Sequence, residues 1–175
     1  MKKSILLLVL VGIVAILMIG CGTKTGESFM WGKNWLTETF PNAASLSSWT
    51  KDSSKGPIYW SSPGAVRINV TATPIGSTSK MYKSFTTSSA NNSIRAYISN
   101  YNGASVACGV KIVNSNGVTV ANMNYTYQVS GRSAYRFFAP AGTYTVHLYA
   151  TRITVGSERV RCGFDDINVD EVIAV

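Results

Sequence analysis

"SVACGVKIVNSNGVTVANMNYTYQV", Ser105–Val129, decides the fold. Its first half sets Val106, Cys108, Val110 and Ile112 on one side of the chain. Its second half alternates Ala121, Met123, Tyr125, Tyr127 and Val129 with Asn122, Asn124, Thr126 and Gln128. A period of two belongs to a strand with one buried and one wet face. Between the halves, Asn114–Gly117 reads as a hairpin turn in which Gly117 takes a positive φ. By parity Tyr125 and Tyr127 belong to the core. The asparagine stripe is a solvated face that also suits recognition of hydroxyl groups.

The same period extends outward along the chain. "AVRINVT" sets Val66, Ile68 and Val70 against Arg67 and Asn69. "SIRAYIS" sets Ile94, Ala96 and Ile98 against Arg95, Tyr97 and Ser99. "PIYWSS" and "KMYKSF" are short and β-prone, and "SAYRFFAPAGTYTVHLYA" reads as two strands around a Pro140–Gly142 turn. A first strand is expected at Trp35–Phe40, with Trp49 capping the core, and "ERVRCGFDDINV" closes the domain. The chain after its apolar start has no helical pattern. Nine or ten short strands joined by Gly, Asn, Ser and Pro clusters predict an all-β, antiparallel sandwich over residues 35–175.

The N-terminus is different. Lys2 and Lys3 precede an uncharged apolar run, Ile5–Ile19, whose fifteen residues fall short of the roughly 20 a spanning helix needs. The layout predicts a hydrophobic signal helix over residues 1–20. "LMIGC" then resembles the lipobox of bacterial lipoproteins. That likeness implies lipidation of Cys21, a tether over residues 21–34, export, and anchoring to the cell envelope at the outer membrane or cell surface. Lipidating Cys21 leaves Cys108 and Cys162, which share the inward parity of Val106 and Val110 and of Val160 and Phe164. Exported chains tend to pair their thiols. A bridge here would contribute about 4 kcal/mol on the chain-entropy account; two buried free thiols are the alternative.

Charge excludes little. Taking Lys2 and Lys3 from the sixteen basic residues leaves fourteen against eight acids, or +6. Such a field favours anionic partners such as acidic glycans or lipid headgroups. The basic residues are scattered rather than clustered, so nucleic acid is not expected.

Catalytic machinery is also not expected. His147 is the sole histidine, and its parity opposite Val146 and Leu148 predicts a solvated side chain. No nucleophile elbow or phosphate-binding loop occurs. Glu38 with Asp166 is the one acid pair that a hydrolase reading can use.

The closing "CGFDDINV", with an early "SLSSW" and "AYRFFAPAGTYTVHLYA", resembles the galactose-binding-like β-jelly rolls that include many carbohydrate-binding modules. The resemblance covers residues 36–170. It implies a jelly roll, a glycan or polysaccharide partner, and one structural Ca²⁺ held by Asp165 or Asp166 with Glu38. The residues themselves carry a further clue. Positions 160, 162 and 164 are apolar, and then Ile167 and Val169; the slip of parity at Asp165–Asp166 predicts a β-bulge. Its carboxylates then serve either a metal or a nearby arginine, Arg159 or Arg161. The expected glycan contacts are the outward Arg95, Tyr97, Tyr101 and Tyr149, with Trp60 beside a Pro–Gly turn. The other functional class is a structural subunit of a filament, surface layer or envelope assembly, a homo-oligomer built by donating residues 22–35 or the tail "VDEVIAV" to a neighbour's sheet.

Overall fold

Eleven strands are present among the described residues, which in the computed structural model are 29–71, 74–156 and 158–174. The expected signal segment and Cys21 lie outside them. In chain order the strands are β1 (Phe29–Glu38), β2 (Thr50–Asp52), β3 (Ile58–Ser61), β4 (Ala65–Val70), β5 (Thr78–Thr87), β6 (Asn91–Asn100), β7 (Val106–Asn114), β8 (Thr119–Tyr125), β9 (Val129–Phe138), β10 (Gly142–Arg152) and β11 (Val160–Ala174). The sandwich is one unit, Trp31–Ile173.

The strands form two sheets. One has the order β3-β4-β11-β6-β9, with β1 also paired to β11; the other has the order β2-β5-β10-β7-β8. Neighbours in sequence are often not neighbours in a sheet, as an antiparallel jelly roll requires. Between the sheets lie Val66, Ile68, Met81, Ile94, Ile98, Ile112, Leu148, Phe164 and Ile167, all fully buried. Burying each such side chain contributes about 1.5–3 kcal/mol. Cys108 on β7 and Cys162 on β11 form a disulfide, which joins the two sheets through the core. Asn114–Gly117 is the expected turn, with Gly117 at φ 78°.

Four expectations need correction. The first strand starts at Phe29, inside the expected tether, and ends at Glu38 rather than at Phe40. Phe40 is instead fully buried just past the strand, at φ 44°. Tyr127 follows the end of β8 and is 60% exposed, with its ring edge-on to Tyr125. The period of two stops with the strand, so parity no longer applies there. His147 is half-buried, not solvated: its ring stacks on Tyr82 with centroids 5.2 Å apart. Of the segments named as donated strands, residues 29–35 lie in β1, which pairs with β11, and Val172 of the tail is buried, while residues 22–28 lie outside the described residues.

Candidate functional site: a trough on the outer face of one sheet

Strand register builds the site. On β6 the alternation sends Ile94, Ala96 and Ile98 inward and leaves Arg95 and Tyr97 on the outer face. Across that face Tyr59, Arg67, Gly163, Ser99 and Ser130 form one row over five strands. Asp165, Tyr97 and Arg132 form the next, and Asn168, Arg95 and Ala134 the one after.

The first row is low in the middle because Gly163 and the two serines are small. A hollow of about 270 Å³ results, lined by Arg67, Tyr97, Tyr101, Gly163 and Asp165 among others. Gly163 is needed here: a Cβ at this position would meet the Tyr101 hydroxyl at 3.0 Å and Ser99 at 3.4 Å. A second hollow of about 160 Å³ lies over Arg95, Ala134 and Asn168. Arg132 from β9 and Asp166 from β11 bond at 2.5 Å beside it. Tyr97 is fixed by a hydrogen bond between its hydroxyl and Ser130 Oγ, at 2.9 Å.

The aromatic and cationic groups of the trough are paired face to face. The guanidinium groups of Arg67 and Arg161 lie 4.3 and 4.9 Å from the Tyr101 ring centroid. Arg95 lies 4.4 Å from the ring of Trp31 and donates two hydrogen bonds to Asp170 Oδ2. Trp31 was not anticipated, because it lies within residues 21–34, the expected tether. The contact between β1 and the far end of β11 reveals it.

The expected ligand contacts therefore divide. Arg95, Tyr97 and Tyr101 come together on this face. Trp60 does not: its ring packs against the core and its indole N–H donates to the Phe40 carbonyl at 2.7 Å. On β3 it is Tyr59, opposite Arg67, that faces outward. Tyr149 lies on β10 in the other sheet, its hydroxyl bonded to Asn122 at 2.9 Å. Its ring covers Gly109, where an added Cβ would sit 2.3 Å from it.

The acids also divide. The bulge is present, with the β11–β6 register shifting between Asp165 and Asn168 and with Asp166 at φ 50°. Asp166 pairs with Arg132 rather than with Arg159 or Arg161. Glu38 pairs with Lys83 of β5. The Asp165 carboxyl is raised above its ordinary value, chiefly by burial; the Asp166 charge adds to this, while the Asp166 N–H and Arg132 oppose it. The Thr39 and Phe40 carbonyls and Asp165 Oδ2 surround the empty side of Gly64. A Cβ on Gly64 would lie 3.8 Å from Thr39 O, 3.9 Å from Phe40 O and 4.0 Å from Asp165 Oδ2. All-oxygen donors of this kind suit Ca²⁺. Among the described residues, no three His, Cys, Asp or Glu side chains gather to hold a metal.

No family model and no curated relative matches the chain. Solved structures do. The N-terminal cellulose-binding domain of Cellulomonas fimi β-1,4-glucanase C superposes with a TM-score of 0.58 at 12% identity, over 82% of this chain and 100% of that one. The CBM22-1 xylan-binding domain from Paenibacillus barcinonensis gives 0.52 at 15% identity, over 82% and 97%. The K3 cleaved adhesin domain of Lys-gingipain from Porphyromonas gingivalis gives 0.54 at 12% identity, over 79% and 100%. The chain has the β-jelly-roll fold of these domains. At such identities the likeness speaks to fold alone.

Proposed function

We propose that the chain is a non-catalytic polysaccharide-binding domain, carried on the cell envelope by a lipid on Cys21, that takes a glycan along the trough. The trough itself is the supporting observation: small residues hollow a sheet face, aromatic rings flank it, and fixed hydroxyls and charges line it. Sugar rings present C–H faces to aromatic rings and hydroxyls to polar partners, and this lining offers both. The cellulose- and xylan-binding domains of the same fold add support. Glu38 and Asp166 each serve a cation, which favours the non-catalytic reading over a hydrolase. A structural Ca²⁺ belongs to the proposal, held by Asp165 with the carbonyls of Thr39 and Phe40.

The test is retardation of the full chain in gels cast with soluble polysaccharides. At least one should slow the protein, and Tyr97→Ala should weaken that affinity about tenfold, a loss of about 1.4 kcal/mol. Mobility unchanged by every polysaccharide would end the proposal.

A further inference from the structure

The cations of the trough are of two kinds. Arg95 and Arg132 each have a carboxylate partner, Asp170 and Asp166. Arg67 and Arg161 have none among the described residues, although both guanidinium groups crowd one ring, that of Tyr101. Nη1 of Arg67 is buried without any hydrogen-bond acceptor. Two like charges on one ring, one of them short of an acceptor, form a site that lacks an anion.

The same hollow holds one carboxylate. Arg161, Gly163 and Asp165 face outward in succession along β11, so about 13 Å separates the first from the last. A neutral glycan leaves the two guanidinium charges unbalanced. A bare inorganic anion offers no hydroxyl to the Asp165 end of the hollow. A polysaccharide that carries both carboxylates and hydroxyls answers each end, because successive sugars cover that span.

Resting on the polysaccharide reading above, the geometry points to a uronate-bearing polysaccharide as the ligand, its carboxylate on the exposed fork of Arg161 beside Arg67 and its hydroxyls on Asp165. A planar guanidinium edge matches a planar carboxylate with two parallel hydrogen bonds, which a lysine ammonium cannot reproduce.

The experiment titrates the full chain with polygalacturonate, dextran sulfate and neutral xylan. Polygalacturonate is expected to bind at least tenfold more tightly than xylan. Arg161→Gln, a substitution at an exposed position, should lower polygalacturonate affinity at least fivefold and several times more than it lowers xylan affinity, and Arg161→Lys should recover only part of the loss. Equal affinity for xylan and polygalacturonate would overturn the uronate assignment while leaving the polysaccharide reading intact. Dextran sulfate that equals polygalacturonate and weakens equally in Arg161→Gln would also overturn it, because charge alone would then account for binding. Failure to bind any of the three would count against the polysaccharide reading itself.

Discussion

His147 shows how a single side chain departs from its sequence reading. Parity puts it on the outer face, and it is there, but Tyr82 on the neighbouring strand covers its ring. Burial lowers its pKa from 6.5 to about 4, with the charges of Lys111 and Lys80 adding to the effect. Folded His147 thus stays neutral while the unfolded chain takes up a proton below 6.5. Stability from this source is whole above that pH and is lost as pH falls toward about 4. Half exposure makes the slope shallow. Thermal melts at pH 7 and pH 4.5 should show a larger drop for the natural protein than for His147→Gln; equal drops would exclude the effect. Outward parity says that a residue leaves the core. It does not say what a neighbouring strand lays over it.

β11 carries most of what sequence could and could not tell. Its slip from even to odd apolar positions located the bulge, because the core must stay apolar on both sides of any interruption. The shared inward parity of Cys108 and Cys162 anticipated the bridge for the same reason. Partners across the sheet were not legible. Arg132 reaches Asp166 only because β9 lies beside β6, a neighbour relation set by topology rather than by sequence distance. Nor does parity say which sheet a strand joins, so Tyr149 and Tyr97 looked alike and lie on opposite faces. Trp60 failed differently: a strand of four residues is too short to fix its own parity. The bulge has its own test. With Ca²⁺ added after chelation the melting temperature should rise by several degrees, and Asp165→Asn should abolish that rise. Identical melts with and without Ca²⁺ would remove the ion from the proposal.

At the scale of the whole molecule, binding is proposed to happen at a surface. Cys21→Ser should shift the chain from the membrane fraction to the soluble one; a variant that stays with the membrane would rule out lipid as the anchor. The two sheets present unlike faces, one a trough and the other the Tyr82–His147 and Tyr149 surface, so a glycan laid in the first leaves the second uncovered. The pairing of β1 with β11 has a mechanical meaning as well. A pull on the chain from its N-terminal side enters this domain through β1, and β11 is the next element to feel it. β11 is bonded to three other strands of its sheet and cross-linked by Cys162 to Cys108 of the opposite one. Tension is therefore spread into both sheets at once instead of peeling one edge, which the proposed hold on a polymer would require.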